Sequence, residues 1–577
     1  MGVSYMEEYH AWLDSPALGE NEWEELNAIA GDEKEIKNRF FAPLEFGTAG
    51  LRGTMKTGLH HMNIHVIRHV TQAFADVIRA EGQEAMDKGI AIDFDCRHNS
   101  ATFAREAACV MAANGINVSI FDALRPTPEL SFAIRHYGLT AGINITASHN
   151  PKEYNCYKVY WSDGAQLPPQ KAAAIAKRME ETDLFTSYHT CDFDEAVAEG
   201  RISLLGSETD EVFMKEVLNE AVDRKIVPEV ADDFKIVYTP FHGCGYKLVP
   251  EVLRRLGVKH LLPVKEQMVI DGDFPTVLSP NPENPEGFAL AIELAKKEGS
   301  DLIIGTDPDS DRIGTMARNA SGEFMPITGN QLGVLLLDYI IRARIATGTM
   351  PENPGMVSSI VTTGMARAVA EANNVHFEET FTGFKFMAER IGEWEKAGSY
   401  HYIMAYEESY GYMFGEYVRD KDAVTASMLV TEMAAFYHKQ HMTLFDAMDA
   451  LYEKYGWFSE HTINLVMPGL DGLEKMQALM TELRTNLPET IAGEQVIRTR
   501  DYLDGSIYVA GLGKVDHTQM SGSNVLYFEM ADGSTFIIRP SGTEPKIKVY
   551  ILVRGSSREA CKEKIKVFTD FAETLRR

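Results

Sequence analysis

Three carboxylates at alternate positions in the segment "GTDPDSDR" are the first residues whose types and spacing indicate chemistry. Asp307, Asp309 and Asp311 directly follow the apolar run "DLIIGT". In an extended or turning segment, side chains two residues apart point to one side, so three negative charges come close together. Such a group needs a cation or protons to offset the repulsion, and oxygen-only ligands select a hard cation such as Mg²⁺. A metal site is therefore predicted, and a solvated acidic turn is the alternative.

A serine hydroxyl is the second candidate group. The apolar run "LTAGINI" leads into "TASHNP", in which Ser148 stands beside His149. Open α/β sheets place their sites at the carboxyl ends of strands, which favours a chemical role for this serine. The G-x-S-x-G pattern of α/β-hydrolases is absent. Ser148 is thus either a nucleophile of another class or a turn residue before Pro151.

The segment "FIIRPSGTEPKIKVYI" predicts an anion site between two strands. Two cations, two hydroxyls and a glycine crowd this one turn, namely Arg539, Ser541, Gly542, Thr543 and Lys546. Backbone N–H groups freed by glycine form concave anion sites, and arginine suits bidentate phosphate recognition. An ordinary hairpin turn is the alternative, but it does not account for the paired cations and hydroxyls.

Two other loops carry weaker signals. In "MAYEESYG", Glu407 and Ser409 follow an apolar run and offer a carboxylate and a hydroxyl to vicinal sugar hydroxyls. In "EFGTAGLRGTM", Arg52 stands in a glycine-rich loop whose spacing is not that of a dinucleotide-binding fingerprint. Taken singly, the first segment is more typical of an exposed acidic turn, and the alternative for the second is a flexible N-terminal loop.

The elements that must position these groups alternate between apolar, β-rich runs and helical patterns, which is typical of α/β folds. Three strand-and-loop signals, "GIAIDFDCRHNS", "FKIVYTPFHGCG" and "GMVSSIVTTG", are each followed by a second one, which predicts three similar domains. The C-terminal end differs, with three strand-like runs, an "ADGS" hairpin turn and a closing helix. We predict domains over residues 1–205, 206–325, 326–460 and 461–577, which carry the serine, metal, sugar and phosphate loops in that order.

Composition limits the remaining possibilities. The net charge of −28 argues against non-specific nucleic-acid binding, so any anion site must be local. The six cysteines are scattered without a CxxC pair, which predicts reduced thiols in the cytoplasm and argues against a zinc site. No apolar run reaches the length of a membrane-spanning helix, so we expect no membrane association.

The motifs "TASHNP", "GTDPDSDR", "EESYG" and "RPSGTEPK", in this order, resemble those of the α-D-phosphohexomutase superfamily. The resemblance covers almost the whole chain and is greatest to the longer phosphoglucomutases, which are related to phosphopentomutases. It implies three similar mixed α/β domains plus a smaller C-terminal α+β domain around a central cleft. It also implies one Mg²⁺ per subunit, a sugar phosphate substrate and a monomer or dimer.

The resemblance implies roles for individual residues. Ser148 matches the phosphoserine, and Asp307, Asp309 and Asp311 match the ligands that hold Mg²⁺ together with the phosphoryl group on that serine. The basic residues of the catalytic region match Arg52, His149, Lys158 and Lys421. The sugar-binding loops match Thr382, Gly383, Glu407 and Ser409. The loop for the non-reacting phosphate matches Arg539, Ser541, Gly542, Thr543 and Lys546.

Two positions depart from the family pattern. Cys156 and Ala423 each stand where many relatives have glycine. If position 156 requires a positive φ, the cysteine is strained and the geometry around Lys158 changes.

The activity that the resemblance implies is interconversion of glucose 1-phosphate and glucose 6-phosphate through phospho-Ser148 and glucose 1,6-bisphosphate. A phosphopentomutase acting on ribose or deoxyribose 1-phosphate, or a phosphomannomutase, would use the same metal and phosphate sites. Two alternatives from other classes are a phosphatase, in which water takes the phosphoryl group, and a catalytically silent sugar-phosphate sensor. The intact serine and carboxylates argue against a sensor.

Overall fold

The computed structural model describes residues 4–47, 50–467, 471–541 and 546–576. The chain divides into two compact units. The first comprises Met1–Thr328, Tyr402–Met404 and Ser409–Thr443, and the second comprises Gly329–His401, Ala405–Glu408 and Leu444–Arg577. Within the described residues, no helix is both long and apolar enough to cross a membrane.

The N-terminal part contains nine helices and six strands among its described residues. They are α1 (Tyr5–Leu13), α2 (Glu20–Ala28), α3 (Glu33–Phe40), β1 (Leu51–Thr54), α4 (Ile64–Ala80), α5 (Gln83–Lys88), β2 (Ile90–Phe94), α6 (Ser100–Ala113), β3 (Val118–Phe121), α7 (Thr127–Tyr137), β4 (Ala141–Ile145), β5 (Tyr154–Trp161), α8 (Pro169–Glu181), α9 (Phe193–Ala198) and β6 (Ile202–Leu205). The strands form one sheet in the order β1-β5-β4-β2-β3-β6. Strand β2 is parallel to β3 and β4, whereas β5 is antiparallel to β4. Helices α4, α6 and α8 bury an apolar face against this sheet and one another.

The second sheet follows along the chain. Its elements are α10 (Ser207–Asn219), α11 (Ile226–Val230), β7 (Lys235–Thr239), α12 (Gly245–Leu256), β8 (His260–Pro263), a 3₁₀ helix (Pro285–Phe288), α13 (Ala289–Glu298), β9 (Leu302–Thr306), β10 (Ile313–Arg318) and β11 (Phe324–Ile327). The order is β11-β10-β9-β7-β8, in which β7 is parallel to β8 and β9, and β10 is antiparallel to β9.

The third sheet has the order β13-β12-β14-β15. Its region contains α14 (Gly329–Thr347), β12 (Pro354–Ser359), α15 (Gly364–Ala372), β13 (His376–Thr380), α16 (Phe384–Ala397), β14 (His401–Glu407), β15 (Gly411–Met413), α17 (Ala423–His438) and α18 (Leu444–Tyr455). Helix α17 packs against α10, α11 and α12 in the first unit, and α14 packs against α15 and α18 in the second.

One four-strand order recurs in these sheets: β5-β4-β2-β3, β10-β9-β7-β8 and β15-β14-β12-β13. In each, the first strand-and-loop signal of the sequence forms an inner strand. The second signal forms the strand beside it, and the next strand extends the sheet. The recurrence confirms the predicted class of three similar mixed α/β domains.

The C-terminal region is built on one larger sheet. It contains β16 (Trp457–Val466), α19 (Gly472–Thr485), β17 (Thr490–Ile491), β18 (Glu494–Asp501), β19 (Ser506–Val509), β20 (Gly513–His517), β21 (Leu526–Met530), β22 (Thr535–Pro540), β23 (Lys546–Gly555) and α20 (Arg558–Glu573). The order is β16-β23-β22-β21-β18-β19-β20, and β17 pairs with β18. The predicted "ADGS" hairpin joins β21 to β22, and the predicted closing helix is α20, so the α+β class of this domain is confirmed.

Candidate active site

Ser148 occupies a tight turn between β4 and β5. Its φ of 52° lies in the left-handed region, where the backbone of a residue other than glycine is strained. Its backbone N–H donates to Thr146 Oγ1 at 2.9 Å, and its Oγ donates to Asp307 Oδ2 at 2.6 Å. The Nδ1 atom of His149 lies 3.1 Å from the same Oγ. The turn therefore directs the serine hydroxyl to a carboxylate that is distant in sequence.

Asp307, Asp309 and Asp311 lie together in the loop between β9 and β10. All three are buried, and each offers an oxygen within 4.8 Å of the others. Two backbone N–H groups, from Asp311 and Arg312, donate to Asp307 Oδ1. The Oδ1 atoms of Asp309 and Asp311 accept no hydrogen bond from the described residues. Two buried acceptors without donors beside a third carboxylate form an oxygen-only set that fits a divalent cation.

Burial and mutual repulsion shift the pKa values of these carboxyl groups. Burial, followed by the charges of the other two carboxylates, raises the pKa of Asp307 well above its usual range. Burial and the charge of Asp309 raise the pKa of Asp311. Burial alone would also raise the pKa of Asp309, but the charge of Lys158, hydrogen bonds with Asp307 and Lys158, and the charge of Lys421 together outweigh burial and lower that pKa. A cation at this position would remove the repulsion.

Two lysines flank the carboxylates within the first unit. Lys158, on β5, donates to Asp309 Oδ2 at 3.1 Å, and Lys421 lies 3.1 Å from Asp311 Oδ2. Burial alone would lower the pKa of both lysines, but the neighbouring carboxylates outweigh it and raise both values. Both ammonium groups are therefore held charged beside the candidate metal site.

His149 and Arg52 complete the basic set. Burial, with the charges of Arg312 and of nearby lysine and arginine residues, lowers the pKa of His149 to about 2, so its ring is neutral. Arg52 lies on β1, in register with Cys156 on β5, and its Nε donates to Cys156 Sγ at 3.3 Å. Cys156 has no positive φ, so the strain considered for this position does not arise. The glycine-rich segment that contains Arg52 therefore ends in the short strand β1.

Two polar residues that the sequence analysis did not single out hold the metal loop. Thr127, at the start of α7, donates its backbone N–H to Asp309 O at 2.8 Å and its Oγ1 to Asp309 Oδ2 at 3.1 Å. Asn144 Nδ2 donates to Thr127 Oγ1 at 2.7 Å. The segment "RPTPE" gave no signal because its partners are far away in sequence.

The candidate sugar-binding residues belong partly to the first unit and partly to the second. In the second unit, the backbone N–H of Gly383, which follows Thr382, donates to Glu407 Oε1 at 2.5 Å. Burial and the charge of Glu407 raise the pKa of the adjacent Glu408 to about 8. Ser409 lies in the turn after β14 and belongs to the first unit.

The candidate phosphate loop joins β22 to β23 in the second unit. Arg539 lies near the end of β22, opposite Lys548 of β23, and Lys546 begins β23. The backbone N–H of Ser541 donates to Lys546 O at 2.8 Å. Gly542 and Thr543 lie outside the described residues.

Comparison with family models divides the chain in a similar way. Three consecutive regions match the phosphoglucomutase/phosphomannomutase α/β/α domains: residues 43–185 match domain I, 211–322 domain II and 328–455 domain III. The domain boundaries at 205/206, 325/326 and 460/461 stay predictions.

Curated relatives and solved structures agree with these matches. A protein of Staphylococcus saprophyticus named phosphoglucomutase is 34% identical over 521 residues, which cover 90% of this chain and 92% of that protein. A phosphoglucomutase of Staphylococcus aureus is 36% identical, over 92% of this chain and 93% of that protein.

The fold is similar to that of parafusin, a phosphoglucomutase from Paramecium, with a TM-score of 0.68, 19% identity and coverage of 92% and 94%. It is also similar to that of a phosphoglucomutase/phosphomannomutase family protein from Burkholderia thailandensis, with a TM-score of 0.63, 17% identity and coverage of 92% and 97%. The chain belongs to the phosphoglucomutase/phosphomannomutase family of the α-D-phosphohexomutase superfamily.

Proposed function

We propose that the chain is a phosphoglucomutase that interconverts glucose 1-phosphate and glucose 6-phosphate through a phosphoserine at Ser148. The observation that carries the proposal is the 2.6 Å hydrogen bond from Ser148 Oγ to Asp307, inside a buried group of three carboxylates. Phosphoryl transfer through a serine requires its hydroxyl to lie beside a metal site, and Ser148 Oγ lies beside a candidate one. The relatives named phosphoglucomutase support glucose as the sugar.

Asp307, Asp309 and Asp311, with an oxygen of the phosphorylated Ser148, would hold one Mg²⁺. The donor-free Oδ1 atoms of Asp309 and Asp311 support this assignment. When bound, the ion neutralises part of the charge on the transferring phosphoryl group.

The two transfers both pass through Ser148. The free hydroxyl of the sugar phosphate attacks the phosphorus of phospho-Ser148. The P–Oγ bond breaks with its electrons on Oγ, and the hydroxyl proton goes to a base. The product is glucose 1,6-bisphosphate, which must turn end for end before Ser148 Oγ attacks its other phosphorus. His149 Nδ1, at 3.1 Å from Oγ, is placed to exchange a proton with that oxygen. Lys158, His149 and Lys421 are the three candidates for the base that accepts the sugar proton. Both lysines are held protonated beside the carboxylates, so the neutral ring of His149 is the candidate with a free lone pair.

The second set of residues binds the parts of the sugar phosphate that do not react. Arg539, Ser541, Gly542, Thr543 and Lys546 would hold the non-reacting phosphate, which has the same chemistry at either end of the sugar. Thr382, Gly383, Glu407 and Ser409 would bind sugar hydroxyls, and Arg52 would stabilise charge at the phosphoserine.

The substitution Ser148→Ala tests the proposal. We expect it to abolish conversion of glucose 1-phosphate in the presence of Mg²⁺ and glucose 1,6-bisphosphate, because no oxygen remains to carry the phosphoryl group. Ser203→Ala is a matched control, since the side chain of Ser203 on β6 forms, among the described residues, only an exposed hydrogen bond with the Ser119 hydroxyl and a hydrogen bond to a backbone carbonyl. Full activity of the Ser148 variant, or a phosphopeptide mapped to another residue of the active enzyme, would refute the assignment.

A panel of sugar 1-phosphates separates the related activities. A phosphopentomutase would have the highest kcat/KM on ribose or deoxyribose 1-phosphate, and a phosphomannomutase on mannose 1-phosphate. Release of free phosphate without isomer formation would indicate a phosphatase, and binding without turnover would indicate a sensor. The cytoplasmic location, the monomeric or dimeric state and the absence of nucleic-acid and membrane partners stay predictions.

A further inference from the structure

One buried guanidinium binds the backbone of the phosphoserine loop. Arg97, in the segment between β2 and α6, donates to four carbonyl oxygens of residues 148–154. Its Nη2 lies 2.6 Å from Ser148 O and 2.5 Å from Asn150 O, and its Nη1 lies 2.8 Å from Pro151 O and 3.2 Å from Tyr154 O. One guanidinium therefore binds four carbonyl groups along the turn between β4 and β5.

Arg97 is itself held from two sides. The carboxylate of Asp95 lies 3.2 Å from its Nε and accepts its backbone N–H at 2.9 Å, and both side chains are fully buried. The ring of Phe274, from the second α/β domain, lies 5.2 Å from the guanidinium carbon. Nearby, a Cβ at Gly272 would lie only 2.8 Å from His98 N and 2.9 Å from Cys96 O, so the absence of a side chain allows this close approach. The guanidinium has little freedom to move.

The loop needs such support because its conformation is unfavourable. Ser148 is in the left-handed region with φ of 52°, and only the surroundings can keep a non-glycine residue there. Apart from Arg97, the turn has few hydrogen bonds of its own, such as that from Asn150 N to Ala147 O at 3.1 Å. Without Arg97, four carbonyl groups whose hydrogen bonds to it are buried or partly buried would lose a charged donor, and the loop would relax.

We propose that Arg97 is the positioning residue that keeps the phosphoserine loop in its strained conformation and so directs Ser148 Oγ to the metal loop. The proposal rests on the proposed function, because it assigns a consequence to the phosphoryl transfer at Ser148. Among the residues that the structure describes, the guanidinium of Arg97 donates hydrogen bonds to backbone carbonyls, forms an ion pair with Asp95 and contacts no reacting atom. It acts through the position of Ser148, not through proton transfer.

Arginine is specifically required for this geometry. A planar guanidinium offers five N–H donors in a fixed fork, whereas a lysine ammonium has three rotatable donors on one atom. Lysine can preserve the charge beside Asp95, but it cannot bind four carbonyl oxygens at once. Methionine keeps the approximate length of the side chain and has no donor.

The variants Arg97→Lys and Arg97→Met test the proposal by separating kcat from KM. We expect kcat on glucose 1-phosphate to fall about tenfold in the lysine variant and about 100-fold in the methionine variant, as is typical of displacement by about 1 Å. KM for glucose 1-phosphate should change less than about twofold, since the phosphate-binding residues are elsewhere. Phosphorylation of Ser148 by glucose 1,6-bisphosphate, followed by intact mass spectrometry, should slow in the same proportion as kcat.

Arg318→Met is the matched control. Arg318 also donates to two backbone carbonyls, at 3.2 and 3.0 Å, and also stacks on a phenylalanine, 4.5 Å from the ring of Phe324, but it supports no candidate site. We expect its kcat, KM and rate of Ser148 phosphorylation to equal those of the unaltered enzyme. A loss of activity in this control as large as that in Arg97→Met would count against a specific role for Arg97.

Three results would overturn the proposal: a kcat within about twofold of the unaltered enzyme in both Arg97 variants, a loss confined to KM, or failure of both variants to fold. Failure of both variants to fold would mean that Arg97 is needed for the folding of the chain and not specifically for the position of the phosphoserine loop. If only the methionine variant fails to fold, the lysine variant decides. Failure of the proposed function would be seen separately, as an unaltered enzyme that forms no glucose 6-phosphate.

Discussion

Glu460 is a titratable residue that the proposed reaction does not use. It lies on β16 of the second unit, and burial raises its pKa to about 7 although a hydrogen bond with Thr363 acts in the opposite direction. A carboxyl group whose pKa is raised by folding binds its proton more tightly in the folded state. Its contribution to stability is therefore complete below pH of about 4.5 and is lost as the pH rises through about 7.

The substitution Glu460→Gln should stabilise the protein in a pH-dependent way. Glutamine is neutral at every pH, so the free energy of unfolding should rise by about 1 to 2 kcal/mol at pH 8 and change little at pH 5. This is less than the full pKa shift would give, because the side chain is partly exposed. Tm measured at both pH values checks this, with Glu453→Gln on the exposed face of α18 as the control. An equal change in Tm at pH 5 and pH 8 would contradict the raised pKa.

Sequence alone identified residues whose chemistry is concentrated in a short segment. The three aspartates of "DPDSD" and the serine of "TASHNP" were predicted from types, spacing and position after apolar runs, and the structure brings them together. Thr127 and Arg97 were not predicted, because each acts through partners that are distant in sequence. A threonine or an arginine in a loop carries no sign of which carbonyl or carboxylate it will meet.

At the scale of elements, the segment "HGCG" supports the metal loop by close backbone approach. Gly243 packs against the metal loop so tightly that a Cβ there would lie 2.4 Å from Pro308 Cα and 2.5 Å from Pro308 O. Next to it, Cys244 N donates to Pro308 O at 2.7 Å. The two preceding residues, Phe241 and His242, have φ of 44° and 66°, so this turn is strained. The position of Asp307 and Asp309 thus depends on a glycine of another loop.

The substitution Gly243→Ala should displace the metal loop. We expect the free energy of unfolding to fall by about 1 to 3 kcal/mol from overpacking. We also expect the rise in Tm on adding MgCl₂ to become smaller, because misplaced ligands bind the ion less well. Gly392→Ala on α16 is the control, since no atom lies within 4 Å of a Cβ there and alanine favours a helix. An unchanged Mg²⁺-dependent rise in Tm in Gly243→Ala would contradict the proposed support.

The recurring strand order was predictable as a repetition of strand-and-loop signals, but its details were not. The paired apolar runs indicated two strands per domain, and they form adjacent strands in each of the three sheets. The added edge strands β1, β6 and β11 are four residues long each and gave no clear pattern. Short edge strands take their conformation from the neighbouring strand, so local sequence specifies them weakly.

On the scale of the whole molecule, the division into two units was not foreseen. The sequence predicted four consecutive domains, which stay a prediction. Each compact unit is discontinuous in sequence, since Tyr402–Met404 and Ser409–Thr443 belong to the first unit and Ala405–Glu408 belongs to the second. Which segments belong to one compact unit depends on tertiary packing, which composition and periodicity do not encode. It explains why Lys421 lies beside Asp311 although the two are far apart in sequence.

Within the second unit, an ionic network joins the third α/β domain to the C-terminal sheet. Arg500, on β18, lies 3.3 Å from Glu379 of β13 and 2.6 Å from Glu529 of β21. Arg367 of α15 lies 3.0 Å from the other oxygen of Glu379. Beside the network, an apolar cluster is formed by Ile360, Val361 and Phe381 of one domain with Tyr502, Val525, Tyr527, Ile537, Tyr550 and Leu552 of the other. The side chains of Arg500 and Glu379 are each only 18% exposed, so screening by water is incomplete.

The substitution Arg500→Met should therefore destabilise the second unit selectively. Removing one partner leaves two partly buried carboxylates without their central cation. We expect a cost of about 1 to 3 kcal/mol, below that of a fully buried pair because some water reaches the site. Hydrogen exchange measured by mass spectrometry should become faster in β13 and β18 and stay unchanged in β2, β4 and β9 of the first unit.

Arg498→Met is the control, since Arg498 is 46% exposed and pairs with Glu529 at the surface. Equal acceleration in both units would mean that the network supports the whole molecule, and no acceleration would mean that the apolar cluster alone joins the two domains.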